Sequence, residues 1–415
     1  MAAALGDPVR HALESVLDAV RDRTDGEVAS YIPELAKVEP EQLGAALAST
    51  HGVVHEAGDV EAEFTIQSVS KPFVFALALD ALGLHEVRTH VDLEPSGEPF
   101  NAISLDEASG RPRNPMINAG AIVMTSLMQG DTAEEKFAVV RAGLDRFAGR
   151  DLQVDEEVFS SEASTGDRNR ALAYLTRSAG TLGSTVEVAT TAYFRQCSLT
   201  VNARDLAIMA ATLATGGVNP VTDERVISED AARWTTAVMT SCGMYDESGD
   251  WMVRVGLPAK SGVGGGIAAV QPGQFGIGAF SPRLDARGNS VRGVATLEQL
   301  SQRHGLHMLQ HHGAPLSPIA SLSREGASGA GGDTVAMLRG EILFSEAEEI
   351  LTRLAPLVGD HGCLVLDFTA VTRVAAGSRK IFSALPESMG RLDDGRPRVE
   401  VRDPDGVLDH PATAG

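Results

Sequence analysis

The sequence predicts an α/β protein with two domains. The large one has a mixed or antiparallel sheet flanked by helices plus a helical subdomain, and the second is a small α/β unit. Three observations lead there. Strand-like runs stand at two separated places, "LGAALASTHGVVHEAGDV" and "VGLPAKSGVGGGIAAVQPGQFGIGAFSP", with helical periodicity between them. Residues 305–332 lose that periodicity and are rich in Gly, Ser, Ala and Pro, as a linker is. Residues 333–415 then alternate strand and helix over a length that suits one small core. The expected division is 1–304, a linker 305–332, and 333–415 with a short C-terminal tail.

Taken in order, an amphipathic pattern predicts a first helix over about 8–22, and two strands meet near His51-Gly52. "QSVSKPF" opens a second helix that runs to about Gly83. After the Pro/Gly-rich "LEPSGEPFN", the prolines of "RPRNPMINAGAIVMTSLM" forbid helix early, and Asn118 sits where the apolar helix begins. Helical patterns continue through 133–148, 168–178, 184–196, 203–215 and 229–241. Pro272-Gly273 reads as a hairpin turn. "SVRGVATLEQLSQRHG" closes the large domain as a helix. A sheet built from both ends of the domain around a helical middle accounts for this order.

Composition excludes several functions. The 415 residues include 56 acidic and 35 basic side chains, a formal charge of −21. That charge repels nucleic acid and anionic membrane. Cys197, Cys242 and Cys363 are widely spaced and odd in number, so no disulfide framework or zinc motif is implied. No segment has the ~18 consecutive apolar residues that span a bilayer. The N-terminus lacks the basic and apolar regions of an export signal, and a cytoplasmic location is expected. His307, His311 and His312 have no carboxylate or thiol nearby in sequence and read as exposed histidines. No metal or organic cofactor is expected.

The chemistry begins with Ser68 and Lys71. Three residues apart at a helix start, they fall on one face. A serine hydroxyl is a poor nucleophile until a base takes its proton, and a desolvated lysine serves once its pKa is lowered. The helix N-terminus adds backbone N–H groups and positive potential. By itself S-x-x-K recurs by chance. The second element is Lys260-Ser261-Gly262, entering a strand-like segment. A phosphate loop is disfavoured, because the order G-x-x-x-x-G-K-[ST] is absent and no helix follows. S-x-x-K at a helix start and a later K-[ST]-G on a strand together mark serine acyl-transfer enzymes.

"FTIQSVSKPF", "RPRNPMINAGAI", "SEASTGDRNRALAYL", "AYFRQCSL", "TSCGMYDESGDW" and "VGLPAKSGVGGGI" resemble the motifs of the serine-dependent glutaminases, in order from about Tyr31 to Arg303. The resemblance implies a β-lactamase/D,D-peptidase-like fold and hydrolysis of L-glutamine to glutamate and ammonia. It implies Ser68 as nucleophile and Lys71 as its proton acceptor, with a γ-glutamyl-serine intermediate. Asn118, Glu162, Asn169, Tyr193, Tyr245 and Val263 are the implied glutamine pocket, with Tyr31 lining it. Lys260 is the implied electrostatic support that keeps Lys71 deprotonated. The chemistry is consistent: a substrate bearing an ammonium and a carboxylate needs an anion such as Glu162 and several neutral donors. Tyr193 and Tyr245 supply hydroxyls able to donate or to relay a proton. The Ser68 and Val263 N–H groups are the expected oxyanion donors. Family habit implies a homo-oligomer, a dimer or tetramer.

"MLRGEILFSEAEEILTRL" and "CLVLDFTAVTRVAAGSRKIFSAL" resemble, more loosely, the STAS domain of sulfate transporters and anti-sigma-factor antagonists. The phosphorylatable hydroxyl of regulatory members is replaced by Val374-Ala375-Ala376-Gly377, and Ser378 falls after the glycine. A protein or nucleotide partner remains open for this domain. Two alternatives stand beside the amidohydrolase. One is a β-lactamase or D,D-peptidase, disfavoured without export. The other is a non-catalytic glutamine sensor, disfavoured by the intact Ser68, Lys71 and Lys260.

Overall fold

The computed structural model describes residues 7–97, 103–310, 316–325, 332–359 and 362–409. The chain divides into two compact units, Met1–Gln310 and His311–Gly415. In the first, the strands Gly44–Ser49 (β1), Val54–Gly58 (β2), Ala259–Ser261 (β3), Gly266–Gln271 (β4) and Phe275–Phe280 (β5) form one sheet of order β2-β1-β5-β4-β3. Every pairing is antiparallel, and β1 lies beside β5 with Ala46 opposite Gly278. The two ends of the unit therefore meet in one sheet. Pro272-Gly273 makes the β4–β5 turn, with Gly273 at φ 73°.

Alternation along these strands separates two cores. Ala45, Leu47, Ile267, Ala269, Ile277 and Ala279 bury one face with Leu13, Val16 and Leu17 of the helix Pro8–Val20, and Ala295, Leu297 and Leu300 of the helix Val291–His304. On the opposite face, Ala46 and Ala48 pack on Ala207, Ile208 and Ala211 of the helix Ala203–Ala214. The approach there is close. A Cβ at Gly276 would lie 2.0 Å from Ala211 N, and one at Gly278 2.0 Å from Ala203 O. Helix backbone thus rests on strand backbone.

Three elements differ from expectation. Gly83, at φ 78° and ψ 158°, kinks the second helix instead of ending it, and helix resumes as far as His90. Glu156–Thr165 and Ser248–Arg254 are helical although their apolar periodicity is weak. Asp155 caps the former through the N–H groups of Glu157 and Val158.

The stretch expected as a linker from 305 is partly ordered structure. His307 Nε2 lies 3.0 Å from Met252 O and Met308 N donates to Gly256 O, so this end folds onto the first unit. Ile319–Glu325 is a strand. Its Gly/Ser-rich flanks hide it, since six of its seven residues are exposed and leave no apolar alternation to read. His311, His312 and residues 98–102 of the Pro/Gly-rich loop lie outside the described residues.

In the second unit, Ile319–Glu325 (β6) pairs antiparallel with Asp333–Ile342 (β7), which runs parallel to Leu364–Val374 (β8), itself parallel to Val399–Arg402 (β9). The helices Phe344–Leu354 and Ala376–Ser388 make the crossovers. They close a core in which Phe368 and Phe382 meet edge to face at 5.2 Å. The Ser378 hydroxyl is buried and donates to Leu343 O, an unsuitable state for a phosphorylation target. No helix among the described residues is long and apolar enough to cross a membrane.

Candidate active site

The site grows from a turn that few residues tolerate. Phe64-Thr65 pairs with Thr200-Val201, and the next residue but one, Gln67, takes φ 48°. A non-glycine residue there costs about 1–2 kcal/mol. The segment Gln67–Val69 is a single 3₁₀ turn that feeds directly into the helix beginning at Ser70. A buried chain of neutral groups holds it. Ser70 Oγ donates to Gln67 O at 2.7 Å, Gln196 Nε2 donates to Ser70 Oγ at 2.9 Å, and Thr125 Oγ1 donates to Gln196 Oε1 at 2.7 Å. Ser68 is half-buried in this turn, and its hydroxyl is hydrogen-bonded to that of Tyr245.

Lys71 follows one turn later and is only 1% exposed. Pro72 is accommodated because it lies in the first helical turn, where an N–H has no intrahelical partner. The Lys71 amine donates to Asn118 Oδ1 at 2.6 Å, and burial pushes it down to about 8. Lys260, on β3, is fully buried as well. Burial, and then the charge of Lys71, hold its amine well below the usual lysine range. Desolvation is the leading cause for both amines, and their mutual repulsion disfavours both being charged at once. Lys260 Nζ lies 4.1 Å from the centre of the Tyr245 ring and donates to Ser261 O at 2.6 Å.

Tyr245 occupies a second turn of this kind, at φ 56°. Its hydroxyl donates to Ser261 O at 3.2 Å and accepts from Ser68. Burial raises its pKa far above the usual phenol value, so the hydroxyl stays protonated. The turn 262–265 joins β3 to β4, and its glycines let it lie against the serine turn. A Cβ at Gly262 would meet Val69 N at 3.2 Å, and one at Gly264 would meet Thr65 O at 2.5 Å. Val263 sits between them.

The remaining residues form two polar groups beside Ser68. Ile117 holds the N-cap position of the helix Asn118–Ser126, so the Asn118 amide is not spent on capping. It reaches Lys71 and also donates to Asn169 Oδ1 at 3.0 Å, while Tyr193 donates to Asn118 Oδ1 at 3.5 Å. Glu162, 7% exposed, accepts from the Tyr31 hydroxyl at 2.8 Å and is hydrogen-bonded to Gln67. Burial raises its carboxyl despite those bonds. The Tyr31 ring is 53% exposed, yet its hydroxyl reaches into the desolvated region and is raised first by burial and then by Glu162.

The structure thus places Tyr31, Ser68, Lys71, Asn118, Glu162, Asn169, Tyr193, Tyr245, Lys260 and Val263 around the serine turn. Residue reasoning missed Gln67, Ser70, Gln196 and Cys197. The Cys197 thiol, pushed up to about 12 by burial, is uncharged and hydrogen-bonded to Tyr193. Gln196 gave no signal: it sits beside Arg195 in the last turn of the helix Val186–Cys197, where a polar residue ordinarily faces solvent. Among the described residues, no three His, Cys, Asp or Glu side chains are grouped to hold a metal ion.

The sequence profile of the glutaminases matches residues 26–309. The chain is a member of the glutaminase family. It is 42% identical over 403 residues to a glutaminase of Corynebacterium glutamicum, covering 97% of this chain and 95% of that protein. It is 47% identical over 370 residues to glutaminase 1 of Bradyrhizobium diazoefficiens, covering 89% of this chain but only 59% of that longer protein. A crystal structure of Mglu in its glutamate form superposes with a TM-score of 0.84 at 38% identity, over 97% of this chain and all of that one.

Proposed function

We propose that this chain hydrolyses L-glutamine to L-glutamate and ammonia through a γ-glutamyl ester on Ser68. The observation that carries this reading is the pairing of a half-buried serine, hydrogen-bonded to Tyr245, with a desolvated lysine amine one turn away on the same face. Lys71 is the base: a value near 8 leaves a useful neutral fraction at physiological pH. As the Ser68 oxygen bonds to the γ-carbonyl carbon, its proton passes to Lys71, directly or through the Tyr245 hydroxyl. The tetrahedral oxyanion is held by the Ser68 and Val263 N–H groups. Collapse breaks the C–N bond as Lys71 returns that proton to the departing nitrogen, releasing ammonia. Water then cleaves the ester, giving its proton to Lys71, which restores it to Ser68 Oγ.

Glu162 receives the substrate ammonium, which restores to that carboxylate the charge disfavoured by burial. Asn118, Asn169, Tyr193 and Tyr31 supply neutral donors to the α-carboxylate. Lys260 steadies the Tyr245 ring. The glutamate-bound form of a 38% identical protein supports this choice of substrate class. Chemistry of this kind requires no cofactor.

The β-lactamase-like architecture is supported by the five-stranded antiparallel sheet with helices on both faces. The STAS-like reading of residues 333–415 is supported by the parallel β7-β8-β9 core with two crossover helices. A protein or nucleotide partner for that unit, a dimeric or tetrameric state, and a cytoplasmic location complete the proposal. Three buried free thiols suit a reducing compartment.

Ammonia release from L-glutamine, L-asparagine and γ-glutamyl amides tests the reading. Glutamine is the preferred substrate, and Ser68→Ala abolishes release. Equal turnover by that variant would remove the serine ester from the mechanism.

A further inference from the structure

Tyr245, like Gln67, holds a positive φ that few non-glycine residues take, and its own neighbours explain only part of how it is kept. Ser248 Oγ donates to Tyr245 O at 3.0 Å and accepts from Met244 N at 3.1 Å, which closes the turn on itself. Those bonds fix the local shape. They do not fix where the turn stands relative to Ser68.

A second set of contacts does. The 3₁₀ turn Tyr245–Glu247 ends in a carboxylate that reaches another segment. One Glu247 oxygen accepts from Arg287 Nη1, and the other accepts from Asn289 Nδ2 at 2.9 Å. Arg287 Nε also lies 3.6 Å from Asp246. The segment on the other side is itself rigid. Asp285 accepts from the N–H groups of Arg287 and Asn289 at 2.9 and 3.0 Å, and its own N–H donates to Asn289 O at 2.8 Å. Asn289 is fully buried, and the next residue, Ser290, caps the helix Val291–His304 that packs on the sheet. Glu247 thus ties a strained turn to the body of the domain, with one end of the tie desolvated.

We propose that Glu247 is a positioning residue, whose bridge to Asn289 and Arg287 holds the Tyr245 hydroxyl on Ser68. The inference rests on the reading that Tyr245 serves the reaction at Ser68. Without the bridge, the φ 56° backbone is free to relax toward ordinary helical values, swinging the phenol off the serine. Substrate contacts at Glu162 and Asn118 lie elsewhere, so binding is spared and turnover is not.

The test is a double-mutant cycle of Glu247→Ala and Tyr245→Phe on the full chain, with kcat and KM for glutamine and the fluorescence of buried Trp251 as a fold check. Glu247→Ala lowers kcat about tenfold, equivalent to ~1.4 kcal/mol, and moves KM less than about threefold. In the Tyr245→Phe background the same change costs less than about twofold, because the hydroxyl it positions is already gone. Wild-type kcat in Glu247→Ala, or a loss that is undiminished in the double variant, overturns the inference. Full activity of Tyr245→Phe alone overturns instead the reading beneath it. Where the alanine variant does not fold, Glu247→Gln runs the same cycle, with a loss of about threefold that again vanishes beside Tyr245→Phe.

Discussion

The serine turn and the tyrosine turn pose the same problem and are held by opposite means. Gln67 and Tyr245 both adopt positive φ without being glycine, and both bring a hydroxyl to the same place. Around Gln67 the restraint is a fully buried run of neutral groups, Ser70, Gln196 and Thr125. Around Tyr245 it is an ionic bridge whose Arg287 side chain is 54% exposed. A neutral buried network is indifferent to salt and strongly coupled to folding, because an orphaned group inside the protein has nowhere to turn. An ion pair at the rim is adjustable and cheap to loosen. The serine turn is set into the core, and the tyrosine turn is moored from the surface.

The largest effect that sharpens this contrast is expected at Tyr245. Tyr245→Phe removes the hydroxyl that is hydrogen-bonded to Ser68 and lowers kcat by about 10²-fold, with the thermal midpoint almost unmoved. Steady-state kinetics beside calorimetry checks both halves. Gln196→Leu is expected to do the reverse. It leaves the Thr125 hydroxyl with only its bond to Ala121 O, strips a donor from Ser70, and destabilises the unit by ~2 kcal/mol. Denaturant titration reads that loss, and an unchanged midpoint would break the comparison.

The pH dependence comes next. Lys71 acts as a base only when neutral, and its folded value lies near 8. The rate constant kcat/KM therefore rises with pH, levels off above about 8, and falls about tenfold per unit well below it. A profile for glutamine from pH 5.5 to 9.5 tests this, and a flat line from 6 upward would show the Lys71 ammonium far more acidic than this or the amine not the base. The smallest effect is ionic. One molar NaCl shortens the screening length to ~3 Å and is expected to lower kcat less than about twofold through the Glu247 bridge. The denaturant midpoint set by the Gln196 network is not expected to fall.

The two turns were not equally legible in the sequence. "QSVSKPF" announces itself, because a serine and a lysine one turn apart at a helix start form a local pattern, and "AKSGVGGG" does so by its glycines. That one sheet joins both ends of the unit followed from two strand-like runs, whereas the strand order did not. Glu247 and Arg287 gave no such signal: each is a charged residue in a polar stretch, and only folding brings them together across 40 positions. Gln196 was hidden differently, as one polar letter beside Arg195 at the end of a helix of mixed composition. The strand at 319–325 was missed because almost all of its side chains face solvent, so hydrophobic alternation had nothing to record. The short helix at 248–254 was missed because it buries little beyond Ser248 and Trp251. The kink at Gly83 was mistaken for an end because glycine marks both.

The two glycines of β5 under the helix Ala203–Ala214 have a consequence for how the molecule can vary. With Gly276 and Gly278 in contact with that helix through backbone atoms, the separation of helix and sheet is set by hydrogen atoms alone. Adding one methyl at either position would act as a wedge with no side chain available to step aside. The backbone atoms a Cβ would meet first belong to Ala203, Ala207, Ala210 and Ala211, and backbone has no bulk to trade. Most of a protein core accepts redistribution of volume between partners, but this seam has no such reserve. It behaves as a fixed gauge from which the rest of the sheet is spaced, including β3 with Lys260.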